Sequence, residues 1–136
     1  MSSKVSIGAI LIVEDADTCR ETLEVALEGS AGLDLLLAES GVEALRILHE
    51  EGRSVRAIVT DLNMPAMDGL ELIRQVRADR STAGIPIIVV SGEADLRAPA
   101  RALGAGADAY FSKPYSPSGV RQKLEQLLDA KPRLER

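Results

Sequence analysis

The chain has 136 residues and a formal net charge of −5, and 46% of its residues are hydrophobic, nearly all of them aliphatic. That length suits one domain with a full core, and an acidic chain without a basic cluster argues against direct nucleic-acid binding. The apolar runs are too short to cross a membrane, and the N-terminus lacks the pattern of a signal peptide. Cys19 is the only cysteine, so an internal disulfide is excluded and a cytoplasmic location is expected.

Short apolar runs alternate with segments of helical periodicity along the chain. Runs such as GAILIV, in which every residue after the glycine is aliphatic, predict strands buried on both faces. Amphipathic spacing and terminal signals, such as Gly29 after the first helix, predict the helices. The predicted elements, alternately strand and helix, are Gly8–Val13, Asp17–Glu28, Leu33–Ala38, Val42–Glu51, Ala57–Thr60, Asp68–Asp79, Ile85–Ser91, Glu93–Leu103, Ala107–Ser112 and Pro117–Leu128.

Strict alternation of strands and helices predicts an α/β domain with a parallel sheet between two layers of helices. We assign this domain to residues 9–130 and expect a disordered N-terminal tail over residues 1–8 and a C-terminal tail over residues 131–136. We expect no output domain after the last helix. The sequence then describes either a stand-alone domain or a fragment of a longer protein.

The fourth helix contains a proline that a helix interior does not tolerate. Pro99 lies inside Glu93–Leu103, where it would remove the backbone hydrogen bond to Asp95 and cost roughly 3 kcal/mol. Two arrangements stay open. The helix starts late, with Pro99 in its first turn, or it bends at Pro99.

Polar side chains follow the predicted strands at one end. Glu14 and Asp15 follow the first strand, Asp61 follows the third, Ser91 ends the fourth and Lys113 follows the fifth. Because the carboxyl ends of parallel strands share one edge of the sheet, we expect these side chains to converge there.

This combination of acids, a hydroxyl and an amine suits a phosphoryl group. Crowded carboxylates raise one another's pKa, and a divalent cation removes the repulsion. Mg²⁺ prefers oxygen ligands and keeps several waters, so two carboxylates and a backbone carbonyl suffice. With Lys113 and Ser91, such a cation forms a receptor for a phosphoryl group. Asp61 is then the candidate nucleophile, since carboxylates form acyl phosphates.

These residues resemble the receiver domain of two-component response regulators, in particular the single-domain, chemotaxis-regulator type. The resemblance runs from about Ala9 to Leu128 and implies a flavodoxin-like, doubly wound sheet of five parallel strands in the order 2-1-3-4-5 with five helices. It also implies a signalling switch that catalyses its own phosphorylation and dephosphorylation rather than a conventional enzyme. The motifs that carry it are Glu14-Asp15, Asp61 within DLNMPAMDG, Ser91 and Lys113-Pro114.

The resemblance implies a role for each acidic residue. Asp61 accepts a phosphoryl group from a sensor histidine kinase or a histidine phosphotransfer protein. Mg²⁺ or Mn²⁺ is held by Glu14, Asp15, Asp61 and the backbone carbonyl of Asn63. Such domains act on a downstream protein through the face formed by the fourth helix, fifth strand and fifth helix, without contact with a membrane. The resemblance also leaves a phosphorylation-dependent homodimer open.

The remaining roles concern the switch and the lifetime of the modification. By resemblance, Lys113 and Ser91 bind the phosphoryl group, and Tyr110 turns inward when the hydroxyl moves. Asn63 and Glu93 each lie two residues after a key group and would flank the path of an attacking water. Because both leave room for that water, we expect a short-lived phosphoryl-aspartate.

Three other functions fit the sequence less well. A phosphatase of the haloacid-dehalogenase type needs a second acid two residues after the nucleophile, where this chain has Asn63. A flavodoxin-type cofactor domain needs a phosphate-binding loop after the first strand, and here that loop is acidic. A receiver-like module that only binds proteins usually lacks an acid or the lysine, and this chain has both.

Overall fold

Five parallel strands form a single sheet in the order β2-β1-β3-β4-β5, as predicted. The structure is a computed structural model, and it describes residues 8–51, 54–64, 66–92 and 94–130. Most of each predicted tail and Glu93 lie outside the described residues. The elements are β1 (Ala9–Val13), α1 (Asp17–Leu27), β2 (Asp34–Ala38), α2 (Gly41–Glu51), β3 (Val55–Thr60), α3 (Gly69–Ala78), β4 (Ile87–Ser91), α4 (Ala98–Ala105), β5 (Ala109–Ser112) and α5 (Pro117–Ala130).

The sheet separates two apolar layers. Alternate residues of each central strand point to opposite faces, so Ile10 and Ile12 pack beneath α1 and α5, whereas Leu11 and Val13 pack beneath α2, α3 and α4. β1 and β4 are buried along their whole length. Burial on both faces explains why their sequences are continuous apolar runs rather than alternating patterns.

The boundaries differ from the predictions by a few residues at several ends. β3 begins at Val55, two residues before the predicted start, and β4 and β5 each begin two residues later than predicted. A short 3-10 turn over Ser30–Gly32 was not predicted. Buried Ser30 in this turn donates a hydrogen bond to Glu125 Oε2 (2.8 Å) and so ties the end of α1 to α5.

The first of the two open arrangements for the fourth helix is the one observed. α4 begins at Ala98, so Pro99 lies in the first turn, where its missing N–H removes no helical hydrogen bond. The start predicted at Glu93 was therefore wrong. Just before the helix, Asp95 accepts hydrogen bonds from the backbone N–H of Arg97 at its Oδ1 (2.8 Å) and from that of Ala98 at its carbonyl (3.0 Å).

Arg77, at the end of α3, joins three segments at the edge of the sheet opposite the strand C-termini. Helical periodicity sets Arg77 with Arg74 on the face of α3 opposite the apolar residues, yet only 21% of the Arg77 side chain is exposed, against 58% for Arg74. The guanidinium of Arg77 donates to four oxygens: Ala83 O (2.8 Å), Ile85 O (2.6 Å), Gly106 O (2.9 Å) and Asp108 Oδ2 (3.0 Å). Asp108 Oδ2 also accepts the backbone N–H of Ile87 (2.8 Å).

No helix within the described residues combines the length and the apolar character that crossing a bilayer requires.

We expect Arg77→Ala to lower the free energy of unfolding by about 2–4 kcal/mol, because it leaves the half-buried Asp108 without its cation and three carbonyls without a donor. Urea denaturation measures the change. Arg74→Ala, one turn away on the same helix, is the matched control and should change stability by less than about 0.5 kcal/mol. Equal losses in the two variants would contradict a special role for Arg77.

Candidate functional site

Three charged side chains meet at the carboxyl edge of the sheet. The Nζ of Lys113 lies 3.2 Å from Glu14 Oε1 and 3.2 Å from Asp61 Oδ2. Glu14 is 1% exposed and Asp61 is 6% exposed, so the ammonium bridges two buried carboxylates. The residues are far apart in sequence, and the parallel arrangement of β1, β3 and β5 brings them together, as predicted.

Asp61 is held by the turn that follows β3. Its N–H donates to Val13 O of the neighbouring strand (3.1 Å). Its Oδ1 accepts the backbone N–H groups of Leu62 (2.6 Å) and Asn63 (3.3 Å). One carboxylate oxygen is therefore engaged by the backbone, and the other, Oδ2, is the oxygen that faces Lys113.

Gly69 allows the chain to close this turn against Asp61. The Gly69 N–H donates to Leu62 O (2.8 Å). A Cβ at position 69 would lie 2.3 Å from Asp61 O and 2.9 Å from Leu62 Cα, both of them backbone atoms. Only glycine therefore fits at the start of α3, where Asp68 caps the helix by accepting the Glu71 N–H (2.9 Å).

Glu14 is oriented by the start of the β1–α1 loop. Its Oε2 accepts the Ala16 N–H (3.2 Å), while its Oε1 faces Lys113. Arg20 donates to the Glu14 backbone carbonyl (3.1 Å) and forms a salt bridge with Asp17, so it fastens the loop to α1. The sequence reasoning gave Arg20 no role, although a basic residue one turn into the helix after an acidic pair is a usable signal.

The charges at this edge shift one another's pKa. Burial raises the pKa of the Glu14 carboxyl above its usual value, and the nearby charge of Asp61 adds to the rise, against the lowering effect of Ala16 N–H and Lys113. Burial by itself lowers the pKa of the Lys113 ammonium, but the attraction of Asp61 and Glu14 outweighs it and leaves that pKa above its usual range. Lys113 therefore carries its charge throughout the neutral range.

Ser91 and Lys113 are linked through the backbone. Ser91 is the last residue of β4 and is completely buried, and its carbonyl accepts the Lys113 N–H (2.8 Å). The Lys113–Pro114 peptide bond is cis. Tyr110 is half-buried and packs against the core beneath α2, α3 and α4.

The other predicted site residues lie at the rim. Asp15 follows Glu14 and is exposed, and Asn63 is exposed two residues after Asp61. Glu93 lies outside the described residues, so its role stays a prediction.

The oxygen atoms at this edge suit a hard divalent cation. In residues 8–51, 54–64, 66–92 and 94–130, no three acidic, histidine or cysteine side chains are close enough to hold a metal ion by themselves. Mg²⁺ needs fewer, because it commonly binds through one or two carboxylates and completes its shell with water. The carboxylates of Glu14 and Asp61, exposed Asp15 and the Asn63 carbonyl are donors of that class, and the two buried carboxylates face a single ammonium.

Comparison with known proteins gives one consistent result. The response regulator receiver domain family matches residues 10–125. A chemotaxis protein CheY homolog of Campylobacter jejuni is 39% identical over 88% of this chain and 91% of its own length. A response regulator from Chloroflexus aurantiacus superimposes with a TM-score of 0.82 at 33% identity, covering 90% of this chain and 98% of its own. The receiver domain of a Syntrophus aciditrophicus signal transduction histidine kinase superimposes with a TM-score of 0.83 at 34% identity. The match covers 94% of this chain and 95% of that domain's chain.

In the metal-free protein, we expect Glu14→Gln to raise the free energy of unfolding near neutral pH. Burial raises the folded-state pKa of Glu14, so its ionised form is costly in the folded protein, and glutamine imitates the protonated form. The wild type gains stability as the pH falls through that raised pKa, and the advantage of the variant should shrink over the same range. Urea denaturation in EDTA from about pH 7 to about pH 4 measures both.

Glu50→Gln, which alters an exposed carboxylate of α2, is the control and should show no such gain. A Glu14 variant that is less stable than wild type at neutral pH would contradict the prediction.

Proposed function

Because the chain belongs to the response regulator receiver domain family, we propose that it is a phosphoacceptor switch in which Asp61 takes a phosphoryl group from a phosphohistidine. The observation that carries this proposal is the 3.2 Å contact between Lys113 Nζ and Asp61 Oδ2. It places a permanent positive charge beside the one oxygen of Asp61 that the backbone amides leave available.

The reaction is an in-line transfer at phosphorus. Asp61 Oδ2 forms the new P–O bond as the bond from phosphorus to the histidine nitrogen breaks, and that nitrogen keeps the electron pair. Lys113 stabilises charge on the equatorial phosphoryl oxygens. Glu14, Asp15, Asp61 and the Asn63 carbonyl are the residues that would hold Mg²⁺ or Mn²⁺. When bound, the cation supplies further neutralisation of those oxygens. Hydrolysis of the acyl phosphate by water later restores the carboxylate.

The proposed switch begins when a phosphoryl group on Asp61 attracts the polar groups around it. A phosphoryl group there offers new acceptors to Lys113 and to the Ser91 hydroxyl. Movement of Ser91 opens space beside β4, and Tyr110, on the neighbouring strand, fills it. The surface of α4, β5 and α5 then changes, which is a local charge event that biases a two-state element.

The proposed partners follow from the phosphoryl chemistry and from the named relatives. The donor is a sensor histidine kinase or a histidine phosphotransfer protein. This fits a close structural relative that is the receiver domain of a histidine kinase. The output is binding of a downstream protein, and the Campylobacter relative is named as a chemotaxis protein. A cytoplasmic location and a phosphorylation-dependent homodimer belong to the same proposal.

Incubation with acetyl phosphate and Mg²⁺ should add the mass of one phosphoryl group to the wild-type chain. Intact-mass spectrometry measures the addition, which EDTA and Asp61→Asn should both abolish. Asp68→Asn, a neighbouring acid that caps α3, is the matched control and should be modified normally. Lys113→Ala should slow the reaction by about 100-fold, because the transferred group loses its fixed cation. Modification that survives Asp61→Asn would refute the assignment.

Asn63 and Glu93 should set the lifetime of the phosphoryl-aspartate. Asn63 is exposed and its N–H lies 3.3 Å from Asp61 Oδ1, so its side chain borders the approach of water. Asn63→Arg and Glu93→Arg should each slow the loss of the phosphoryl group several-fold, as followed by mass after removal of acetyl phosphate. Asn63→Ala, which leaves the path open, is the control. Unchanged decay in both arginine variants would rule out this control of lifetime.

A further inference from the structure

The outer edge of β2 presents unpaired backbone in the described part of the chain. β2 is the end strand of the sheet, and among the described residues it pairs with β1 alone. Asp34 N–H donates to Gly8 O (3.0 Å) and Ala38 O accepts Glu14 N–H (3.0 Å), so alternate residues of β2 direct their polar groups toward β1. Leu35 and Leu37 therefore direct their N–H and C=O groups away from the sheet.

Both ends of this edge are closed by local hydrogen bonds. The Leu33 N–H donates to Ser30 O (2.9 Å), and the Glu39 N–H donates to Glu43 Oε1 (2.7 Å). The open stretch is thus confined to Leu35 and Leu37. That length suits a short strand added in register rather than extended sheet growth.

A groove of about 880 Å³ runs beside this edge, between α1 and β2. Leu35 and the 77% exposed Val25 supply apolar surface, and Leu37 is 38% exposed on the same face of the strand. The acidic residues Glu21 and Glu24 of α1 and Glu28 at its C-cap line it, and no described lysine or arginine does.

The three glutamates that line the groove are available for ion pairs with a ligand. Glu21, Glu24 and Glu28 form no salt bridge in the described part of the chain, in contrast to the acids of α2 and α3. An apolar floor with a uniformly negative rim selects a ligand that carries apolar and basic groups together.

We propose that the β2 edge and the α1–β2 groove bind an extended segment of a partner protein that carries both basic and apolar residues on one face of the added strand, the face turned toward α1. The segment adds a strand by pairing with the backbone of Leu35 and Leu37. Its apolar side chains pack on Val25 and Leu35, and its lysines or arginines meet the groove carboxylates. A second copy of this chain is a poor occupant, because two acidic rims would repel.

This inference is independent of the proposed phosphoacceptor function. The groove reaches to the end of β2 that begins with Asp34, whereas Asp61 and Lys113 lie at the carboxyl edge of the sheet. Asp61→Asn should therefore bind the same ligand as wild type, and groove variants should accept a phosphoryl group normally.

The probe is a fluorescent octapeptide in which threonine occupies every second position and lysine and valine take turns at the others, so that lysines and valines share one face of the strand. Binding is followed by fluorescence anisotropy at physiological salt. Glu21→Gln combined with Glu24→Gln should weaken binding by about three- to tenfold, as expected for two partly exposed ion pairs. Glu50→Gln combined with Glu71→Gln removes the same charge from α2 and α3 and should leave binding unchanged. Equal loss in both double variants would show attraction to net charge alone and would overturn the proposal.

Amide hydrogen exchange tests the mode of binding. The probe should slow exchange at Leu35 and Leu37 and leave Leu36, which is already paired with β1, unchanged. A probe N-methylated at the alternate residues that face the strand should lose this protection and its affinity, whereas methylation at the other residues should not. Tight binding without protection of Leu35 and Leu37 would overturn strand addition.

Discussion

The ammonium of Lys113 lies between two carboxylates that the strand ends bury, 3.2 Å from each. Burying a carboxylate is costly unless a counter-ion lies beside it, and the lysine supplies one positive charge for the two buried acids, Glu14 and Asp61. The trio keeps an excess negative charge, with Asp15 adding another at the rim. That excess explains why the edge suits a divalent cation. The electrostatic partner that a phosphoryl group at Asp61 would need is the ammonium of Lys113, which already lies beside that carboxylate.

The residues that meet at this edge could be predicted from the sequence, because the positions and directions of the strands determine them. Continuous apolar runs define the strands, parallel strands end at one edge, and the polar residues that follow them must meet there. Glu14, Asp61 and Lys113 illustrate this. The orientation of the carboxylates was not predictable, because it depends on backbone donors such as Leu62 N–H and Ala16 N–H and on the close approach of Gly69 to Asp61.

Two physical causes explain what the sequence did not predict. One is contact between residues that are distant in sequence, and the other is a choice between local conformations of nearly equal preference. Helical periodicity gives only the face of α3 on which Arg77 lies, since no local pattern reveals that loop carbonyls and Asp108 surround its guanidinium. For the fourth helix, Pro99 forbids an interior position but allows both a late start and a bend. The choice was decided by Asp95, whose side chain and carbonyl satisfy the amides before the first turn.

The contacts of Arg77 and those of Asp95 anchor the two ends of the segment between β4 and β5 unequally. At its exit, the Gly106 carbonyl and Asp108 are fixed by Arg77, which also binds the loop before β4. At its entry, the ion pairs of the described residues are those of Asp95 with Arg97 and Arg101, all on the same segment. If Ser91 moves toward a phosphorylated Asp61, the displacement meets less resistance at the start of α4 than at its end. For the proposed switch, we therefore expect the larger change at the entry of this segment, beside the exposed Leu96, while β5 keeps its register.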